Sequence, residues 1–371
     1  MNSSNRATAE ASPDSQMPSF APKSAFWLEL KKAGAEHLER EALRGHSSIG
    51  DPRLKRKAAV ILLWFAGSYA ALLCAASLSG VLLAVLSLAF AASALGFGIF
   101  HDANHRTLFQ RPRTNLHAAW LCSVLLGPSR HLWVHKHQGL HHRQPNVLGW
   151  DDDLETRGVL RLSPASPWEP RFRWQEVKML LYYALNTVEW LFWKDFRCLV
   201  EGRLNESHPV ELNGRARAEF LFCKGLYVAL FVLPPFFVLP FIWAATAFIF
   251  FHVVLGWLLA AVFQVAHLTP GMEFNGVRSG DDWALHQIRT TADFATGSRL
   301  ITWLTGGLNH QIEHHLFPNV AHTHYSGLRP IVRAVAQRHG VLCHDLGGVF
   351  SALGQHFALL KALGRPNALA S

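Results

Sequence analysis

Two long stretches without any charged side chain constrain the fold of this sequence more than any other feature. They run from Ala58 to Phe100 and from Gly225 to Ala266. Each stretch is long enough for two membrane-spanning helices of about 20 residues joined by a short turn. Residues that interrupt helices occur in both, at Ser77–Gly80 in the first and at Leu233–Pro235 in the second. The sequence therefore predicts four spans arranged as two hairpins.

The predicted fold class is an all-α integral membrane protein, in which four transmembrane helices carry a helical cytoplasmic cap with a histidine-rich metal site. The membrane domain is expected to cover residues 51–330. The polar segment 1–50 is expected to be disordered and to contain no cleaved signal peptide. Residues 331–371 are expected to form a carboxy-terminal helical segment on the cytoplasmic side. We place the spans at residues 58–78, 80–100, 221–240 and 243–266.

Composition and the distribution of positive charge support a membrane location. Half of the 371 residues are hydrophobic and only 16% are charged, against roughly a quarter in soluble domains. None of the 35 Lys and Arg residues lies in the two uncharged stretches, and Arg53–Lys57 directly precedes the first. The positive-inside rule then places both termini and the large loops in the cytoplasm. We expect a multi-pass protein of a bacterial inner membrane, whose net charge of +9 reflects this topology and not a nucleic-acid partner.

The segment between the hairpins, Arg171–Leu199, combines aromatic residues with charges at both ends. Its tryptophans, Trp174, Trp190 and Trp193, favour the headgroup region of a bilayer, which predicts a helix lying in the membrane interface. An ordinary buried helix of the cytoplasmic cap is the alternative.

Histidine recurs in three short clusters and at one further position near the predicted membrane edge. Side chains three or four residues apart share one face of a helix. One such pair is common on protein surfaces, but the predicted topology brings all four groups to the same side of the membrane. The residues are His101 and His105 in HDANH; His137, His141 and His142 in HKHQGLHH; His267 after the fourth span; and Gln311, His314 and His315 in NHQIEHH.

The number and type of these side chains predict two metal ions. Imidazole binds iron, zinc, copper and nickel. A structural zinc site needs only four ligands, usually including cysteine. The five cysteines are scattered, lie away from the clusters and are expected to be reduced thiols. Eight or nine nitrogen and oxygen ligands indicate two metals, and two irons can activate dioxygen whereas zinc has no redox chemistry.

HDANH, HQGLHH and QIEHH resemble the three histidine boxes of membrane-bound fatty acid desaturases, and the glutamine of the third box resembles the front-end branch. The similarity extends from His101 to Tyr325 and includes GWDDDLE and HQIRTTADF. It implies that iron is bound by the eight clustered histidines, with Gln311 at a position where other branches have histidine. His310, one turn before His314, is an alternative to Gln311.

The resemblance implies oxygen-dependent desaturation of an acyl chain linked to coenzyme A, a carrier protein or a lipid. Two iron ions and dioxygen would supply the oxidising power, because a methylene group has no usefully acidic proton. No catalytic side chain is expected beyond the metal ligands. Carboxylates that orient the ligand imidazoles are expected close by. The candidates are Asp102, Asp151, Asp152, Asp153 and Glu313.

Two departures from the family pattern bear on substrate and electron donor. Many relatives follow the second box with Tyr-Thr-Asn, whereas this sequence has Arg143–Asn146 (RQPN), which affects contact with a substrate head group. The His-Pro-Gly-Gly run of a fused haem domain does not occur. The resemblance then implies an external ferredoxin-type donor with its reductase. The basic residues Arg106, Arg111 and Arg113 are candidates for docking an acidic donor.

Two other functions remain open from the sequence. A diiron hydroxylase shares the first hydrogen abstraction with a desaturase. A non-catalytic membrane metal carrier is the second alternative, but carriers normally place ionisable residues inside their spans. Here the only such candidate is His252, which we interpret as a hydrogen-bonded residue of the core or of a substrate tunnel.

Overall fold

The structure is a computed structural model that describes residues 19–205, 207–274 and 276–366. Four helices in this part of the chain are long and apolar enough to cross a membrane. The first and second pack along each other, and the fourth packs against the second. Their shared apolar core is built mainly from Leu, Ala, Val and Phe side chains. The predicted all-α membrane fold with two helical hairpins is confirmed. The four spans are Pro52–Leu73, Leu78–Asn104, Gly214–Val238 and Phe241–Phe263.

The first and third spans begin earlier than predicted. The first starts at Pro52, where the Asp51 side chain accepts a hydrogen bond from the backbone N–H of Arg53 at 2.7 Å. The third starts at Gly214 and includes Lys224, whose ammonium group is buried against the Asp195 carboxylate at 3.0 Å and two backbone carbonyls. An uncharged stretch marks only the apolar part of a span, because capped or paired charges allow the helix to continue beyond it.

The cap is formed by the helix before the first span and by the segments between and after the two hairpins, and its apolar side chains contribute to two buried clusters. Its only sheet within the described residues is a parallel pair of two-residue strands, Ala292–Asp293 and His344–Asp345. One apolar helix of the cap, Val349–Leu363, is too short to span a bilayer. The other helices outside the spans are Ala25–Leu43, Pro112–Leu126, Arg130–Val134, Gln175–Glu189, Asp195–Glu201, Trp283–Arg289, Arg299–Leu304, Gln311–Leu316 and Tyr325–Arg338.

The prediction of a disordered segment 1–50 is corrected for its second half. Ala25–Leu43 is a helix that packs against Tyr325–Arg338 and buries Phe26 and Leu30. Its N-terminus is capped by the Ser24 side chain. Apolar side chains four residues apart give this polar segment one buried face, which overall composition does not reveal. Residues 1–18 lie outside the described part of the chain. The predicted boundary at residue 330 also falls inside a helix.

One face of the segment between the hairpins is buried and the other is exposed, while its location in the membrane interface stays a prediction. Gln175–Glu189 packs one face against the fourth span, and the Thr187 hydroxyl lies 2.9 Å from His252 Nδ1. His252 is therefore a buried, hydrogen-bonded residue, as expected. The opposite face of the segment exposes large apolar side chains that suit contact with lipid. They are Trp174, Val177, Leu180, Leu181, Leu185 and Trp193.

Contact between this helix and the fourth span requires a glycine at position 256. A Cβ atom built on Gly256 would lie 2.2 Å from the Tyr183 backbone oxygen. We expect Gly256→Ala to push the two helices apart and to cost about 1–3 kcal/mol of folding free energy. The control is Gly67→Ala in the first span, where no atom lies within 4 Å. Thermal unfolding in detergent should show a lower midpoint only for the Gly256 variant, and equal midpoints would contradict the packing described.

Candidate metal centre

Four parts of the chain converge at the cap end of the spans and bring the predicted histidines together. Near its end the second span contains a π-helical turn, Gly96–Phe100, and the first cluster follows this turn directly. The second cluster lies on a π-helical segment, His135–His141. His267 follows the fourth span, and the third cluster lies on the short helix Gln311–Leu316. All eight histidines predicted as ligands are buried.

Five of these histidines form one group in which one ring nitrogen of each lies within 4.8 Å of the others. The Nε2 atom of His137 lies 3.2 Å from His101 Nε2 and 3.1 Å from His142 Nε2. No described acidic side chain belongs to this group. Its members are His101, His105, His137, His142 and His314.

The remaining three predicted histidines, His141, His267 and His315, form a second group that meets the same distance limit. Gln311 joins it, because its side-chain nitrogen lies 3.0 Å from His267 Nε2. The two groups are in direct contact, since the rings of His142 and His315 stack with centroids 4.4 Å apart. The structure therefore brings together all nine side chains predicted from the sequence and divides them between two adjacent sites.

The π-helical segment determines how the second cluster is divided. We predicted that His137 and His141 share one α-helical face, but the two side chains belong to different groups. His137 instead pairs with His142, five residues later, which is the spacing that a π-helix aligns. His141 is left to face His267 and His315.

Burial keeps most of these imidazoles neutral. It lowers the pKa of His137, His142, His314 and His315 well below the ordinary value, and neighbouring imidazoles lower it further. Burial also lowers the pKa of His267, to about 3. Neutral imidazole has a free lone pair, so these rings are in the state in which histidine binds metals.

Several buried ring nitrogens have no hydrogen-bond partner among the described residues. They include Nε2 of His105, His314 and His315. Unpartnered buried nitrogens are costly unless another ligand satisfies them. Because the second nitrogen of each of these rings is held by a protein group, the free one points at its neighbours in the cluster. The donor set therefore fits two metal ions bound by nitrogen, with an amide beside one of them.

The outer hydrogen bonds fix the orientation of the rings. Nδ1 of His315 lies 2.7 Å from the Gln287 side-chain oxygen, and Nδ1 of His314 lies 3.1 Å from the Tyr325 hydroxyl. His267 Nδ1 lies 3.0 Å from the Thr290 carbonyl oxygen. The sequence analysis gives these three residues no role. Gln287 and Thr290 lie in the HQIRTTADF segment and Tyr325 ends the region of resemblance, so the family pattern indicates them.

The predicted carboxylates differ in what they contact. Asp151 lies 3.1 Å and Asp153 3.4 Å from His141 Nδ1. Although burial lowers the pKa of His141, Asp151 raises it above the ordinary value. Asp102 lies 3.6 Å from His101 Nδ1 and 2.6 Å from His322 Nδ1.

Two of the five predicted carboxylates contact no clustered histidine. Asp152 accepts from Lys194 at 2.7 Å and also pairs with Lys136. Glu313 faces away, into a separate buried cluster with Asp293 and His310. His310, the alternative to Gln311, therefore lies outside the two histidine groups. Burial raises the pKa of Glu313 to about 7 and raises that of Asp293, which Arg329 and Arg333 approach at 3.4 and 3.6 Å.

A cavity of about 270 Å³ opens beside the five-histidine group. His137 and Trp133 form part of its wall, and their rings stack with centroids 4.3 Å apart. A narrower apolar cavity of about 50 Å³ shares Trp133 and Phe263 with the first and continues between the spans, past His101. Together they border the histidines from the cap to the membrane region, with many charged residues in the wall of the larger cavity and mainly apolar residues in that of the smaller one.

The Asp151 contact can be tested by its effect on metal retention. Asp151→Asn keeps the shape of the side chain but removes the charge that stabilises the His141 ring orientation. We expect metal affinity, measured by chelator competition on the purified protein, to fall by about 10–100-fold. Glu155→Gln, on the exposed end of the same loop, is the control and should leave retention unchanged. Equal retention in both variants would remove Asp151 from this role.

Comparison with known proteins agrees with this geometry. The fatty acid desaturase family matches residues 75–347 of the chain. The chain is 31% identical to an sn-1 linoleoyl-lipid 6-desaturase of Synechocystis over 87% of its own length and 92% of the relative. It is 29% identical to an enzyme of the same name from Arthrospira platensis, over 93% of the chain and 94% of the relative.

A third relative is a desaturase of a different name. The chain is 30% identical to an acyl-lipid (8-3)-desaturase of Physcomitrium patens, over 81% of the chain and 64% of the relative. Family match, relatives and buried histidine groups all point to one activity. The chain therefore belongs to the fatty acid desaturase family and is a membrane-bound oxidoreductase that desaturates fatty acyl chains.

Proposed function

We propose that the two histidine groups hold two iron ions and that the enzyme uses dioxygen as co-substrate. One iron would be bound by the five-histidine group, and the other by His141, His267 and His315 with Gln311 beside them. The unpartnered, neutral imidazole nitrogens carry this proposal. When bound, the irons would supply the oxidising power needed to dehydrogenate an unactivated methylene pair.

The protein itself positions the metal ligands and the substrate, and it excludes water from the site. Asp151, Gln287 and Tyr325 hold the outer nitrogens of three histidines, so the inner nitrogens of these rings stay directed at the metal sites. Trp133 stacks on His137 and borders both cavities, which places an apolar surface where the reacting methylenes would lie. Holding the acyl chain in a fixed position next to the metal centre is the main contribution that a protein can make to this reaction.

The overall reaction consumes electrons as well as oxygen. One dioxygen, two electrons and two protons convert a CH₂–CH₂ unit into CH=CH and two water molecules. We propose that the electrons come from a ferredoxin-type donor and its reductase, because an acidic donor would be attracted to a protein with a net charge of +9. The cap and both termini would face the cytoplasm of a bacterium, because the basic residues flank the cap ends of the spans.

The substrate in this proposal is an acyl chain whose head group stays at the cap. The chain would enter through the larger cavity and extend between the spans through the smaller one. Coenzyme A, a carrier protein and a lipid are all possible handles. The names of the Synechocystis and Arthrospira relatives, which act on lipid-linked chains, favour a lipid handle.

The iron assignment predicts a defined metal content. Purified protein should contain about two irons per chain, and His101→Ala, His141→Ala and His315→Ala should each abolish desaturation and lower iron content while membrane insertion is retained. His117→Ala, an exposed histidine outside both groups, should leave both unchanged. Elemental analysis together with fatty-acid product analysis is the measurement. A single zinc per chain, or full activity of the three variants, would refute the assignment.

The arrangement of the two cavities predicts that the enzyme selects the position of the new double bond by its distance from the carboxyl end of the acyl chain. When cells are given a series of fatty acids of increasing length, the new double bond should keep its distance from the head group. The head group stays at the cap while only the distal end of the chain varies in depth. Double-bond positions are located by mass spectrometry. A bond at constant distance from the methyl end, or an alcohol in place of the alkene, is the result that this arrangement excludes.

A further inference from the structure

A second, wider opening lies on the cap at the start of the first span, away from the cavity beside His137. This groove has a volume of about 640 Å³. Its wall combines cationic side chains, most of them from the first turns of the span, with hydroxyl-bearing residues and Trp303 from the cap. The cations are Arg53, Arg56, Lys57 and Arg299, and no carboxylate occurs among the described lining residues.

The charge of the groove contrasts with that of the substrate cavity. In the cavity, Lys136 lies 2.6 Å from Asp153, Lys194 lies 2.7 Å from Asp152, and Arg157 pairs with a glutamate. Its cations are therefore neutralised locally. In the groove Arg53 pairs with Asp51 and Lys57 is buried against His322, while Arg56 and Arg299 are exposed. An acidic partner that approaches the cap is attracted to the groove and not to the substrate cavity.

A chain of polar contacts connects the groove with the five-histidine group. Lys57 Nζ, in the groove wall, lies 2.9 Å from His322 Nε2. His322 Nδ1 lies 2.6 Å from Asp102 Oδ2, and the other Asp102 oxygen lies 3.6 Å from His101 Nδ1. His322 also lines the groove. A single histidine and a single aspartate therefore separate this surface from a predicted metal ligand.

We propose that this groove is the docking surface of the electron donor, a small acidic iron–sulfur protein. The inference rests on the proposed function, and it places the donor over Arg56 and Arg299. Each docking event transfers one electron from the reduced donor to the metal centre, and two events complete each double bond. Binding at the groove leaves the substrate cavity open, so an acyl chain and a donor can occupy the cap together.

The test uses the full chain in phosphatidylcholine nanodiscs with a reduced plant-type ferredoxin, its reductase and an acyl substrate. In Arg56→Glu/Arg299→Glu, we expect the KM for ferredoxin at low salt to rise by about tenfold or more. The rate at saturating ferredoxin and the KM for the acyl substrate should stay unchanged. The matched control, Lys32→Glu/Lys361→Glu, alters two exposed lysines elsewhere on the cap by the same charge and should leave the ferredoxin KM unaffected.

Each alternative surface has its own outcome in this experiment. If Arg111→Glu/Arg113→Glu raises the ferredoxin KM and the groove variant does not, the donor docks at the loop after the second span. If the groove variant changes turnover only in discs that contain phosphatidylglycerol, the groove binds an anionic lipid. Either result overturns the proposal. Absence of any desaturation by the unaltered protein with ferredoxin would instead refute the proposed function, before the variants are compared.

Discussion

Crowding of neutral imidazoles in a buried volume is the condition on which this structure depends. A protonated ring inside either group would place a positive charge against several neighbours in a medium of low dielectric constant, so burial and mutual repulsion both disfavour protonation. His141 differs, because Asp151 compensates positive charge on its ring. The cap helices, the outer hydrogen bonds and the ends of the spans serve to hold the rings together in this state.

Much of the fold could be predicted from charge and length alone. The uncharged stretches revealed the number of spans and their pairing, because a bilayer excludes unpaired charge and unsatisfied backbone groups. The starts of the first and third spans could not be predicted, since they are set by the capping side chains of Asp51 and Asn213. The helix Ala25–Leu43 was missed because its stability comes from packing on Tyr325–Arg338 and not from its composition.

The sequence predicts which side chains form the site. It does not predict how they divide into two groups or which residues orient them. Spacing identified the nine clustered side chains, whereas the assignment of His137 and His141 to different groups depends on a local π-helical geometry. Nothing in the sequence distinguishes Asp151, which contacts a clustered histidine, from Asp152, which pairs with lysines. Such choices are made by contacts between distant segments, and a single sequence contains no direct record of them.

The π-helical segment His135–His141 constrains the number of residues between the histidines of the second cluster. A π-turn holds one more residue than the α-turn it replaces, so if this segment became α-helical with all its residues kept, everything downstream would rotate by about 100° around the helix axis. His141 and His142 would then exchange faces. The number of residues in this stretch is therefore as strongly constrained as the identity of its two clustered histidines, His137 and His141.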